Sequence, residues 1–237
     1  MNLDVYPKYE KLLDSRISGS TLIVVDVLRS TTSIIWAVRN GAQKIIPAMD
    51  PGEAAQIYSR LGQSDCVLAG EVGGIKHPDY HIGNSPSEFS AETVRGKSII
   101  ISTSNGTAAI AGAKGAKNLL IGAMINRIAV AKRAVELGDD IIVLCAGTNG
   151  QISADDLCAA GAICNAIKTV SREPIEETDI AFVCRAIYKH WKAGDVDLSR
   201  TAHWEKLTEL GFEEDIKLCF TPDVTNVVPE YKNGIIE

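Results

Sequence analysis

Thr21-Leu22-Ile23-Val24-Val25-Asp26-Val27-Leu28-Arg29-Ser30-Thr31-Thr32 decides how this chain is read. An unbroken apolar run is the mark of a strand buried on both faces, and this one stops on an acid, a guanidinium and three hydroxyls. The design returns twice. Ile99 to Ser102 runs into Thr103-Ser104-Asn105-Gly106-Thr107, and Ile141 to Cys145 runs into Gly147-Thr148-Asn149-Gly150. In such strand-to-helix loops, backbone N–H groups, hydroxyls and the positive end of a helix dipole converge, so each loop is a cradle for an oxyanion.

Working outward, strands are predicted at 21–27, 44–48, 66–70, 98–102, 118–122 and 140–145, and helices at 31–40, 52–61, 106–113, 127–137 and 154–169. This alternation predicts an α/β fold, a three-layer α/β/α arrangement around a largely parallel or mixed sheet. Asp50, Pro51 and Glu53 form a capped helix start that Gly62 closes. A weak repeat joins strand, anion loop and helix to Gly41-Ala42-Gln43-Lys44 in one copy and Gly115-Ala116-Lys117-Asn118 in the other. It favours two similar α/β halves, each a βαβ unit, facing one cleft, with each glycine turning helix into strand. Residues 1–170 read as the α/β body. Residues 171–237 read as helices at 176–192 and 203–210 plus a C-terminal return that packs on the body.

Composition narrows the class. At 237 residues, 46% of them hydrophobic, the chain can bury a substantial core. No apolar run approaches the roughly 20 residues of a membrane span, and the N-terminus lacks a signal-peptide pattern, so a cytoplasmic protein is expected. Cys66, Cys145, Cys158, Cys164, Cys184 and Cys219 sit apart in mostly apolar segments and read as buried thiols. The net charge of −6 argues against a nucleic-acid partner. A small anionic molecule is the expected partner and a homodimer the expected assembly, although the apolar helix with Trp191 suits internal packing equally well.

Asp26, at the carboxyl end of a buried strand, stands where open α/β sheets present catalytic groups, and Arg29 offers a planar fork for phosphate, sulfonate or carboxylate. Ser30 and Thr31 add hydroxyls. Thr103, Ser104, Asn105, Gly106 and Thr107 form a second cradle, with a glycine that permits positive φ. Asn84 and Ser85 belong to a long, polar, turn-rich loop. Asp155 and Asp156 follow Ser153 at a helix start, where dipole and capping alone would place them, yet the preceding strand aims them at the same sheet edge as Asp26. Two or three carboxylates converging there would suit Mg²⁺, and Gly70-Glu71 ends a strand with another acid. Transition-metal chelation by His77, Asp79 and His81 rests on alternation alone. The D-x-D pair of haloacid-dehalogenase phosphatases is absent, since Leu28 stands two places after Asp26.

Five blocks taken together, Asp26-Val27-Leu28-Arg29-Ser30-Thr31-Thr32, Gly70-Glu71, Ile82-Gly83-Asn84-Ser85-Pro86-Ser87-Glu88, Thr103-Ser104-Asn105-Gly106-Thr107 and Asp156 followed by Ala160-Gly161-Ala162, resemble the 2-phosphosulfolactate phosphatase family. The resemblance runs from about residue 20 to the tail, including Asn126 and Val228-Pro229. It implies a Mg²⁺-dependent acid phosphatase that cleaves (R)-2-phospho-3-sulfolactate to sulfolactate, a step in coenzyme M biosynthesis. Asp26, Arg29 and Asp156 would be catalytic, and Asp26, Glu71 and Asp156 would hold the metal. Ser30, Thr31, Asn84, Ser85 and residues Thr103 to Thr107 would bind substrate. Carboxylate attack and attack by metal-activated water both stay open. Val72 stands where the family often has arginine, and Tyr80-His81 where it often has Phe-Asp, departures that bear on the substrate. The competing class is a noncatalytic phosphate or sulfonate sensor built from the same loops.

Overall fold

The structure, a computed structural model, describes residues 1–9, 17–62 and 65–237. Within these the chain runs β1 (Asn2–Tyr6), β2 (Thr21–Val25), α1 (Ser30–Arg39), β3 (Lys44–Pro47), α2 (Pro51–Leu61), β4 (Cys66–Val72), β5 (Ile75–Lys76), α3 (Ala91–Val94), β6 (Ser98–Ser102), α4 (Gly106–Gly112), β7 (Asn118–Gly122), α5 (Arg127–Leu137) and β8 (Ile141–Cys145). It continues with α6 (Ala154–Val170), β9 (Glu176–Glu177), α7 (Asp179–Ala193), α8 (Ala202–Glu209), α9 (Glu213–Cys219), β10 (Tyr231–Lys232) and β11 (Ile235–Ile236).

The strands form two sheets. A five-stranded sheet, β7-β2-β8-β1-β9, is parallel throughout. A six-stranded sheet, β10-β11-β3-β6-β4-β5, is parallel at its centre and antiparallel at both ends. Successive strand residues face opposite ways, so Leu22 and Val24 join one core while Ile23 and Val25 join another. The first of these cores lies between the sheets, where Ile34 and Ile35 of α1 and Ile110 of α4 meet Ile99 and Ile101 of β6. Helices α5, α6 and α7 cover the far face of the first sheet, and α2 covers the far face of the second around Ile100. Each sheet is thus the centre of an α/β/α sandwich, and the two sandwiches share the α1/α4 layer.

The internal repeat takes its meaning from this arrangement. β2-α1-β3 crosses from the first sheet to the second, and β6-α4-β7 crosses back, so neither unit is a βαβ within one sheet. Both crossing helices begin beside one cleft. Gly41 makes the turn expected of it at φ +91°, whereas Gly115 does not, because α4 ends at Gly112 with Ala113 as its C-cap. The α2 cap forms as predicted, with the Asp50 carboxylate accepting the Glu53 N–H. All six cysteines are buried and free. The segment after residue 170 adds β9 to one sheet and β11 to the other, and Trp191 packs internally against Tyr188 and Phe220. Among the described residues no helix is long and apolar enough to cross a membrane.

Gly161 lets α6 and α7 approach closely: a Cβ there would lie 1.9 Å from the Cys184 carbonyl oxygen. Gly161→Ala is expected to force the helices apart at a cost of roughly 1–3 kcal/mol. In a thermal melt this reads as a fall in Tm of about 2–4 °C per kcal/mol for a chain of this size.

Candidate active site

The chain leaves β2 in a turn held by its own hydroxyls. Thr31 Oγ1 accepts the Asp26 N–H at 3.1 Å and donates to the Asp26 carbonyl at 3.0 Å, and Thr32 Oγ1 donates to the Val27 carbonyl. The Leu28–Arg29 peptide bond is cis. Thr31, fully buried, therefore fixes Asp26 instead of facing a ligand. Asp26 lines a chamber of about 30 Å³ together with Arg29, Glu71, Asn84, Ser104, Asn105 and His203.

Gly106, at the start of α4, is a glycine for closeness. Its φ is not positive, but a Cβ would lie 2.7 Å from Asp26 Oδ2 and 2.3 Å from Ser30 Oγ. The starts of α1 and α4 are pressed together here. Burial, then the charges of Asp155 and Glu71, push the Asp26 carboxyl from 3.8 up to about 7, against the Ser30 N–H and Arg29.

Arg29 does not turn back to Asp26. One guanidinium nitrogen donates to Asp215 Oδ2 at 3.1 Å, another to the Gly74 carbonyl at 2.8 Å, and the group lies 4.0 Å above the Phe212 ring. Ser85 Oγ donates to the other Asp215 oxygen at 2.6 Å, so Ser85, expected to bind substrate, clamps the partner of Arg29. Its neighbour Asn84 lines the chamber with a buried side-chain oxygen that has no partner among the described residues. Such an unspent polar group costs free energy until a ligand satisfies it.

The other expected ligands divide in the same way. Thr103 and Thr107 satisfy each other: each hydroxyl accepts the other's N–H, and Thr107 Oγ1 donates to the Thr103 carbonyl. Ser30 Oγ lies 3.4 Å from Thr103 Oγ1. Ser104 and Asn105 reach the chamber wall. Glu71 accepts the Gly74 and Ser104 N–H groups and the Ser104 hydroxyl, stitching two loops together. Asn105 Oδ1 accepts the Asn149 N–H, which joins the second loop to the third.

Asp156 stands behind the chamber wall. Its two oxygens accept the Val27 and Gly147 N–H groups, both at 2.9 Å, so it clasps the ends of β2 and β8. Burial and the neighbouring Asp155 and Asp26 raise its pKa well above the carboxylate range, against those two hydrogen bonds. Asp155 accepts from Ser153 Oγ and pairs with His203, whose Nδ1 lies 3.0 Å from Oδ2. The His77, Asp79, His81 chelate does not form: His81 Nδ1 accepts the Leu68 N–H and Nε2 faces Tyr58. Among the described residues no group of three or more His, Cys, Asp or Glu side chains gathers as a metal site. Val72 is exposed at the end of β4.

The sequence reading missed one wall of the cleft. His203, Lys206 and Leu207, on one face of α8, line it, and Asp215 on α9 anchors Arg29. Nothing local distinguishes them. Asp215 follows Glu213 and Glu214 like any acidic first turn.

Asp215→Ala is expected to leave a buried guanidinium without its carboxylate and to cost about 3–5 kcal/mol in denaturant unfolding. Asp26 sets a pH dependence of the opposite sense to a salt-bridged acid. The folded chain holds a proton between pH 3.8 and about 7 that the unfolded chain has shed. This contribution to stability is full below the lower value and is lost as pH rises through the higher one. In metal-free buffer Tm is expected to fall between pH 5 and pH 8, and Asp26→Asn to flatten that fall.

A family model described as 2-phosphosulpholactate phosphatase matches residues 6–234. The chain is 35% identical over its full length to a probable 2-phosphosulfolactate phosphatase of Clostridium kluyveri, covering 98% of that protein. It is 33% identical to its counterpart in Clostridium acetobutylicum, with both chains fully covered, and 35% identical to that of Caldanaerobacter subterraneus, with 98% of that chain covered. With a family model over residues 6–234 and relatives matched along the full chain, the chain belongs to the 2-phosphosulpholactate phosphatase family, a family of phosphoric monoester hydrolases.

Proposed function

We propose that this protein is a Mg²⁺-dependent phosphatase that hydrolyses 2-phospho-3-sulfolactate, or a closely related 2-phospho-2-hydroxy acid, to the hydroxy acid and phosphate. The observation that carries the reading is Asp26, a buried carboxylate with a raised pKa at a strand end, lining a chamber that it shares with Arg29. Phosphoryl transfer depends on aligning the nucleophile and neutralising charge on the equatorial oxygens. Asp26 serves the first need, as nucleophile or as the group that positions water. Arg29, already fixed by Asp215, Gly74 and Phe212, serves the second without reorganising.

The donor set supports a magnesium ion in particular. Mg²⁺ keeps several waters and takes one or two carboxylates plus substrate phosphate, so it does not require a full protein cage. Asp26 would hold it, with Glu71 beside it. Among the described residues Asp26, Glu71, Asp155, Asp156 and Asp215 surround a cleft whose basic side chains are Arg29, His203 and Lys206, so a bound Mg²⁺ would supply charge neutralisation there.

The test is phosphate release from a panel of 2-phospho acids with Mg²⁺ and with chelator. Release is expected with Mg²⁺ alone, and Asp26→Asn is expected to lower kcat by about 10³-fold or more, as loss of a central catalytic group does elsewhere. Ligand binding with no turnover at any metal concentration would instead identify a sensor.

A further inference from the structure

Among the described residues His203 is the one ring that lines the cleft, and the roles of Asp26 and Arg29 leave it idle. It sits on α8, at the junction between the 30 Å³ chamber and an outer cavity of about 400 Å³, and it lines both with Thr148, Asn149 and Lys206. Its Nδ1 is 3.0 Å from Asp155 Oδ2 and 3.3 Å from Thr148 Oγ1. Asp155 is itself buried at 1% exposure and anchored by Ser153 Oγ. An acid placed this way fixes both the ring plane and the tautomer, leaving Nε2 as the working nitrogen. Among the described residues Nε2 makes no hydrogen bond.

We propose that His203 is the general acid of the reaction, donating its Nε2 proton to the C2 oxygen of the 2-hydroxy acid as the P–O bond breaks. The placement follows from the shared wall. Asp26 and Arg29 line the inner chamber and His203 lines both it and the larger outer cavity, so a phosphoryl group drawn to Asp26 and Arg29, with its organic acid toward the larger cavity, sets the scissile oxygen at the junction. An alkoxide is a poor leaving group without a proton. When the P–O bond breaks, its electrons stay on the C2 oxygen, which takes the proton, and the imidazole becomes neutral. One water reaches phosphorus, directly or by cleaving an acyl phosphate on Asp26, and returns its proton to Nε2. Burial alone would lower the pKa of His203, but the hydrogen bond and charge of Asp155, with Asp156 behind it, raise it above its ordinary value, the direction that favours the protonated ring.

This inference rests on the phosphatase reading, and its test separates the two. The substrates are 2-phospholactate and its 3,3,3-trifluoro analogue, which are similar in size but differ in the basicity of the alkoxide they release. The variant is His203→Asn, whose amide can still donate to Asp155. Its kcat on 2-phospholactate is expected to fall by about 10²–10⁴-fold, the usual reach of general acid catalysis. On the trifluoro ester the loss is expected to stay under about tenfold, because the leaving group hardly needs the proton. His203→Ala is expected to regain part of its lost rate on 2-phospholactate when imidazole is added. Equal losses on the two esters, or no loss on either, would overturn the general-acid role and leave the phosphatase reading standing. Wild-type protein that releases phosphate from neither ester nor from 2-phospho-3-sulfolactate would overturn both, and where it acts on 2-phospho-3-sulfolactate alone, an unchanged kcat of His203→Asn on that ester would overturn the general-acid role.

Discussion

Arg29 is a cation with 2% exposure, and a guanidinium so buried is tolerable only if its donors are spent on a carboxylate and carbonyls. The carboxylate comes from Asp215, 186 residues away, and is itself secured by Ser85. This one pair decides what the C-terminal segment is for. Holding Asp215 against Arg29 brings α9 to the mouth of the cleft and lays Phe212 under the guanidinium. The preceding helix, α8, then presents His203 and Lys206 to the chamber. A segment that looks like packing in the sequence becomes one wall of the site.

The limits of the sequence reading have the same physical origin. Strands β2, β6 and β8 are legible because both their faces are buried, which makes them apolar without interruption. β1 escapes notice although it lies inside the same sheet: Leu3 and Val5 alternate with Asn2 and Asp4, and the run is short. The loops announce oxyanion chemistry through their composition, but composition cannot say where a hydroxyl spends its hydrogen bonds. Thr31, Thr103 and Thr107 spend theirs on nearby backbone, while Ser104 and Asn105 reach the chamber. Asp156 shows the same ambiguity at longer range, since two N–H groups from different strand ends had to arrive before its clasping role was visible.

The two crossings explain why similar loops lie together at all. A helix that leaves one sheet and enters another must pass through the layer between them, and two such helices running in opposite senses begin at a common edge only if their parent strands end there. β2 and β6 do, in different sheets. The glycine at the start of α4 lets the helix come within contact distance of Asp26 and Ser30, which any side chain at that position would prevent. The resemblance between the two units therefore records a shared mechanical task, that of starting a helix against its twin.

Electrostatics then sets Asp26 apart among the acids of the cleft. Asp215 has Arg29, Asp155 has His203, Asp156 has the N–H groups of Val27 and Gly147, and Glu71 has those of Gly74 and Ser104. Asp26 has the Ser30 N–H and a distant share of Arg29 against the charges of Asp155 and Glu71, and its proton is correspondingly held up to about 7. A carboxylate left uncompensated inside a small chamber gains more than its neighbours from any cation or electrophilic phosphoryl group that enters. Asp156 is pushed up by burial as well but stays behind the wall, so Asp26 is the raised acid that lines the chamber.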